Sequence, residues 1–338
     1  MKAVVVERWQ EPEELVVREA PLPPLKKGMV MVDVKYAGAN FYDILMVQGK
    51  YQYRPPFPFI PGTEFSGVVS RVGEGVTKWK VGDEVYGIAA TGAYAEKIAV
   101  PAKSIRAIPR GMSLQYAAGF SMTYPTSYAA LVYRANLRSG ETLLVHAGAG
   151  GVGIAAIQIG KALGARVIAT AGGPEKCAVA KAAGADHVID YNNKEKDFVT
   201  EVKELTDSNG ADVIFDPVGG EVFDNSTKCI AWGGRLLVIG FAGGTIPSIR
   251  TNRVLLKNCS IVGVFWGSYQ YKQPSKVEEA FQQLEQMFVE GKLKPVVYPK
   301  SFRLEQLPLA LREIAERKTF GKLIVEVDDN RQQQSAKL

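Results

Sequence analysis

Residues 142–165, "TLLVHAGAGGVGIAAIQIGKALGA", constrain the fold more than any other part of the chain. An apolar run ends at His146, Gly148, Gly150 and Gly153 follow as G-x-G-x-x-G, and a helical pattern begins at once. Backbone that turns this tightly and approaches a pyrophosphate has no room for Cβ atoms. The N-terminus of the next helix also offers unpaired N–H groups and a partial positive charge. In a strand–turn–helix setting the pattern predicts a dinucleotide-binding loop, with Gly150, Gly151, Val152 and Gly153 at the phosphates. His146 stands on the strand itself, which favours a core role over catalysis.

The runs "ARVIATAG", "DHVID", "ADVIFDPVGG" and "GRLLVIGFAGG" repeat the apolar texture, with helical patterns such as "PEKCAVAKAAG" between them. This alternation predicts an α/β fold, a doubly wound parallel sheet of Rossmann type. Ligands of such sheets lie beyond the carboxyl ends of the strands. Val218 and Gly219 after the fourth strand, and Phe241 and Ala242 after the fifth, are therefore expected to line a nicotinamide and its ribose. At the end of the second strand, "RVIATAGGPEK" places Thr170, Ala171, Gly172 and Gly173, with no carboxylate before Glu175. An NAD site would put Asp or Glu there to hold the ribose 2′-hydroxyl. Its absence leaves room for a 2′-phosphate, which Lys176 can pair with and Tyr191 can cap, so NADPH is the expected cofactor.

Residues 1 to about 120 have a different texture. Short Val-rich runs broken by Gly and Pro ("KAVVVE", "GMVMVDVKYAG", "FSGVVSRVG", "GDEVYGI") suggest an irregular β-barrel or sandwich. Two amphipathic helical patterns, "PSKVEEAFQQLEQMFVEGK" and "LEQLPLALREIAERK", precede a last strand, "GKLIVEV". The expected organisation is a dinucleotide domain, residues 123–261, inserted between two segments of a β-rich domain, 1–122 and 262–338. The 338 residues are enough for both cores. Three widely spaced cysteines exclude a disulfide framework and fit a reducing compartment such as the cytoplasm. No signal peptide or apolar membrane span is expected. The net charge of +6 is not gathered into a basic stripe with interleaved aromatics, so no nucleic-acid partner is expected.

"GETLLVHAGAGGVGIAAIQIGK" carries Gly140, Glu141, Leu144, the run 148–151, Gly153, Gln158 and Lys161 of the quinone oxidoreductase and zeta-crystallin signature. With "GANFYD", "PFIPGTEFSGVV", "GVTKWKVGDEVYG", "DPVGG" and "GKLIVEV", the chain resembles the zinc-free quinone oxidoreductase branch of the medium-chain dehydrogenase/reductases. The resemblance covers nearly everything but the tail and implies a GroES-like catalytic domain around the Rossmann domain. Where alcohol dehydrogenases of this superfamily carry catalytic zinc ligands, this chain has Asn40, Thr63 and Met122, and the four-cysteine lobe is replaced by "IAATGAYAE".

The resemblance therefore implies zinc-independent hydride transfer from NADPH to an electron-poor acceptor, a quinone or an α,β-unsaturated carbonyl. It places Asn40, Tyr51, Thr63 and Thr126 near the nicotinamide. Asn40 and Tyr51 are the catalytic candidates, Asn40 and Thr126 cofactor contacts, and Thr63 cleft lining. Phe265 is a further cofactor contact. The strand within "KNCSIVGVFWG" corresponds to an edge that pairs across a two-fold axis in this family, which implies a homodimer. The C-terminal Ala336-Lys337-Leu338 resembles a peroxisomal address. An alternative is an NADPH-binding structural or regulatory protein with little turnover, which would bind NADPH tightly and oxidise it negligibly with every acceptor.

Overall fold

The computed structural model describes residues 1–193 and 195–328; Ala336-Lys337-Leu338 lies outside the described residues. The chain divides into two compact units, one of Thr123–Pro295 and one of Met1–Met122 joined by the segment from Val296 onward.

The Thr123–Pro295 unit holds a six-stranded parallel sheet. Its strands are β1 (Thr142–Val145), β2 (Arg166–Ala171), β3 (His187–Asp190), β4 (Ala211–Asp216), β5 (Ile230–Val238) and β6 (Ser260–Gly263). The spatial order β3-β2-β1-β4-β5-β6 reverses direction beside β1. A ligand crevice opens at such a reversal, beyond the carboxyl ends. Helices α1 (Gly151–Ala162), α2 (Pro174–Ala182), α3 (Phe198–Leu205) and α4 (Gly220–Cys229) connect the strands. Leu143, Leu144, Val145, Val167, Ile168, Val213, Ile214 and Phe215 are fully buried. This is why these strands are continuous apolar runs rather than alternating ones. Glu141 and Gln158 of the signature serve the scaffold. Glu141 meets Arg235 through two hydrogen bonds of 2.8 Å. Gln158 accepts from Tyr124 Oη and Lys294 N–H and donates to the Lys294 carbonyl.

The return to the β-rich unit falls at Val296, not at residue 262. Residues 262–295 belong with the parallel sheet for identifiable reasons. Tyr269 stacks on Tyr133 at 6.1 Å, Tyr133 Oη donates to the Lys276 carbonyl at 3.0 Å, and Gln158 holds Lys294. The amphipathic helix Pro274–Val289 forms as its pattern predicts. Its periodicity reveals an apolar face, not the element that covers it.

The other unit is a seven-stranded, largely antiparallel sheet centred on the long strand Met29–Ala39. That strand pairs with Glu64–Val72, Lys97–Pro101 and Leu323–Glu326. Val30, Val32, Phe65, Val69, Val85 and Val325 fill its interior together with Met46 and Val47.

A buried polar centre lies within this apolar interior. Glu64 is fully buried and Lys322 only 7% exposed, and they meet at 2.5 Å. Lys322 Nζ also donates to the Ala39 carbonyl at 2.9 Å, and Glu64 Oε2 accepts the Met122 N–H at 3.1 Å. Gly119 permits this approach, since a Cβ there would stand 2.3 Å from Lys322 Cγ. Beside the pair, fully buried Asp43 accepts from Tyr94 Oη at 2.7 Å and from Asn40 N–H at 2.8 Å, while its Oδ1 has no partner among the described residues. Burial pushes the Asp43 carboxyl up to about 6, against the lowering effects of the Tyr94 bond and of Lys322.

Two outcomes follow for urea unfolding. Glu64→Gln or Lys322→Met alone should cost about 3–5 kcal/mol by stranding one buried charge, and the double variant should lose less than the sum. For Asp43 the native pKa lies above the unfolded one, so its contribution is full below about pH 4 and is lost as pH rises through about 6. The wild type should therefore gain up to about 3 kcal/mol relative to Asp43→Asn as pH falls through that window.

Candidate active site

The glycine loop forms the strand–turn–helix corner that its spacing predicts. β1 ends at Val145 and α1 begins at Gly151 with Gly150 as its N-cap. A Cβ at Gly153 would lie 2.2 Å from the Ala147 carbonyl oxygen, so only glycine lets α1 start this close to the turn. At Gly150 a Cβ would meet only that carbonyl, at 3.3 Å, which leaves its other side open. The N–H groups of Gly151, Val152 and Gly153 have no acceptor among the described residues, and Ile154 makes the first intrahelical bond, to Gly150. Such a set of unpaired amides at a helix N-terminus suits a phosphate.

Thr126 lies in the helix Phe120–Tyr128, next to Ser127, whose Oγ donates to the Val152 carbonyl at 2.9 Å. Thr126 is thereby held beside the first turn of α1. His146 is fully inside and forms a bridge. Ser226 Oγ spends its hydrogen on the Val222 carbonyl at 2.7 Å, so it accepts from His146 Nε2 at 2.8 Å. His146 Nδ1 then accepts from Thr170 Oγ1 at 3.1 Å. Burial lowers the His146 pKa to about 3, and the neutral ring locks β1 to the end of β2.

At the end of β2, Ala171 is buried and Gly172 faces the Tyr191 ring, where a Cβ would come within 2.7 Å. The structure thus brings Ala171, Gly172 and Tyr191 together, with Lys176 in the first turn of α2. The nearest strand-end carboxylate, Asp190, lies on β3, and its Oδ1 is occupied by Gly173 N–H and Asn192 N–H, both at 2.9 Å. It holds a turn and does not stand where a ribose-binding acid would.

Beyond β4, Asp216 Oδ1 accepts from Val218 N–H at 2.8 Å and Gly219 N–H at 3.0 Å. The loop after β5 is bonded to this turn through Ala242 N–H to the Pro217 carbonyl at 3.0 Å and Gly243 N–H to the Val218 carbonyl at 2.8 Å. Val218, Gly219, Phe241 and Ala242 form one rim, as their strand-end positions predict. Phe265 follows β6. It is 57% exposed and borders a cavity of about 260 Å³ with Arg134, Tyr269 and Lys272.

In the β-rich unit, Asn40 begins the helix Phe41–Val47, and both ends of its amide are engaged. Oδ1 accepts from Lys322 Nζ, and Nδ2 donates to Glu64 Oε1 at 3.0 Å and more weakly to the Gly38 carbonyl at 3.5 Å. Little donor capacity remains for a substrate carbonyl. Tyr51 differs: its ring packs edge-on against Tyr42 at 4.3 Å, and its hydroxyl has no partner among the described residues. Burial raises the Tyr51 pKa, so the phenol keeps its proton. Thr63 is buried, not spread along an open cleft, and its hydroxyl has no partner among the described residues.

Sequence reasoning missed Lys322, Asp43, Tyr94 and Ser127. The Asn40-x-x-Asp43 spacing was a legible helix-start signal, and the other three had none. No group of three or more His, Cys, Asp or Glu among the described residues could hold a metal ion.

Residues 26–110 match the alcohol dehydrogenase GroES-like domain, and residues 151–286 match the domain described as zinc-binding dehydrogenase. A quinone oxidoreductase-like protein 2 homolog from Nematostella vectensis is 41% identical, over 89% of this chain and 82% of that protein. Among solved structures, Escherichia coli quinone oxidoreductase complexed with NADPH superposes with a TM-score of 0.88 at 28% identity, over 96% of this chain and all of that one. A mycobacterial protein complexed with NADPH gives the same TM-score at 30% identity and the same coverage. With its glycine loop, its parallel sheet and its β-rich unit, the chain belongs to the quinone oxidoreductase-like proteins of the medium-chain dehydrogenase/reductase superfamily.

Proposed function

We propose that the protein is a zinc-independent oxidoreductase that uses NADPH to reduce a quinone or an α,β-unsaturated carbonyl compound. The observation that carries the cofactor assignment is the phosphate-ready loop, three unpaired amides at the start of α1, with no carboxylate at the end of β2. The NADPH complexes of two structural relatives support it. When bound, NADPH supplies the hydride. Gly151, Val152 and Gly153 would hold its pyrophosphate, Lys176 and Tyr191 its 2′-phosphate, and the rim of Val218, Gly219, Phe241 and Ala242, with Thr126, its nicotinamide. Phe265 is retained as a further contact.

Tyr51 is the acceptor-side donor, because its hydroxyl is uncommitted and protonated. It stabilises charge developing on the acceptor oxygen and delivers a proton there. Asn40, held at both ends of its amide, positions the helix that carries Tyr42. Zinc independence draws support from Lys322, whose ammonium already stands against Asn40 Oδ1 and Glu64. A second cation beside it would meet repulsion.

A homodimer is proposed through β6, which among the described residues pairs on one side only, with β5. Ile246, Leu255 and Leu256 are at least 70% exposed and offer apolar surface in the same part of the chain.

A screen of NADPH and NADH oxidation over quinones and enones tests this reading. NADPH should be preferred at least tenfold in kcat/KM, and a chelator should change nothing. Failure to oxidise NADPH with any of these acceptors would sink it. Lys176→Ala should weaken NADPH about tenfold and leave NADH unaffected, as loss of one charge-assisted contact predicts; fluorescence titration reads both. Leu255→Asp with Leu256→Asp should turn a dimer into a monomer in light scattering behind size exclusion, and a monomeric wild type would refute the dimer.

A further inference from the structure

Residues 51–58, "YQYRPPFP", form a strap with no backbone hydrogen bond among the described residues. Gln52, Tyr53, Arg54, Pro56 and Phe57 are exposed. Within it Pro55 is buried and Phe57 stacks on Phe59 at 5.8 Å, while one indole touches both ends. At the near end Gly49 has φ +66°, and a Cβ there would lie 2.6 Å from Trp9 Cδ2, so the indole sits directly on the Gly49 backbone. At the far end the Trp9 ring meets Phe57 edge-on at 4.6 Å and Phe59 at 6.1 Å. Backbone bonds seat the indole. Gln10 N–H donates to the Val47 carbonyl at 3.0 Å, and Val6 and Phe59 exchange bonds of 2.8 and 3.0 Å. Gln48 Nε2 donates to Glu11 Oε2 as well.

We propose that Trp9 is a positioning residue for the acceptor: by clamping both ends of the strap, it sets where the Tyr51 hydroxyl stands. This rests on Tyr51 being the acceptor-side donor. Among the described residues the Tyr51 hydroxyl has no hydrogen-bond partner and its ring has one aromatic neighbour, Tyr42, so the place of the phenol follows the course of the strap. An indole on a glycine tolerates nothing larger at position 49, so the clamp and its seat are matched in shape.

The test is steady-state kinetics with 1,4-benzoquinone and 9,10-phenanthrenequinone, alongside NADPH affinity by fluorescence. Trp9→Ala should lower kcat/KM for the acceptor about tenfold, mainly through KM, with NADPH affinity unchanged, a size of effect expected for misplacing one group. Trp9→Phe should recover most of it. On a Tyr51→Phe background Trp9→Ala should add little, because both act through one hydroxyl. Chymotryptic cleavage after Tyr51 or Tyr53 should quicken in Trp9→Ala. If that variant does not fold, Phe57→Leu, which removes the far ring's contacts with Trp9 and Phe59, should raise KM in the same direction, by about threefold. Normal acceptor kinetics in Trp9→Ala or Phe57→Leu, with Tyr51→Phe impaired, would overturn the clamp and leave the Tyr51 assignment standing. So would full additivity in the double variant. Unimpaired Tyr51→Phe would refute the Tyr51 assignment, and the clamp's role in catalysis with it.

Discussion

The ion pair of Lys322 and Glu64 is the constraint around which the β-rich unit is arranged. Removing two charges from water costs several kcal/mol each, which attraction offsets only when further hydrogen bonds complete both groups. Here the completing partners are the Ala39 carbonyl, the Met122 N–H and both ends of the Asn40 amide. Asn40 in turn starts the helix whose Tyr42 supports Tyr51. The electrostatics of the interior therefore reach the surface through one short helix, and the orientation of an amide is decided by a lysine near the other end of the sequence.

The parallel-sheet unit solves a different problem. Its polar groups near the carboxyl ends of the strands are mostly spent on holding turns. Asp216 closes the turn after β4, Asp190 the turn after β2, and neutral His146 joins β1 to β2. The amides at the start of α1 are left unspent. A loop built in this way offers an anion backbone donors with no partner among the described residues.

Legibility in the sequence followed the range of the interaction. The glycine loop, the parallel strands and the rim of Val218, Gly219, Phe241 and Ala242 were visible because periodicity and local spacing dictate them. The end of the inserted unit was not, because the helix Pro274–Val289 shows an apolar face without saying which partner buries it. Asn40 was visible as a polar residue in a family position, yet its commitment to Lys322 depends on a contact 282 residues away that no local pattern encodes. The place of Phe265, beside Arg134 and Tyr269, depends on the loop after the edge strand, which no periodicity encodes. Trp9, a lone aromatic near the start of the sequence, carries no periodic signal.

The distance along the chain between Lys322 and its partners bears on how the polypeptide is made. Residues 123–295 are continuous and bring all six strands of their sheet with them, so this unit can close as it leaves the ribosome. The β-rich unit begins first and is completed last: Glu64 emerges early, and its cation follows only after the whole inserted unit has been synthesised. During that interval Glu64 has its first-segment partners, the Asn40 amide and the Met122 N–H, but not the cation that completes its burial.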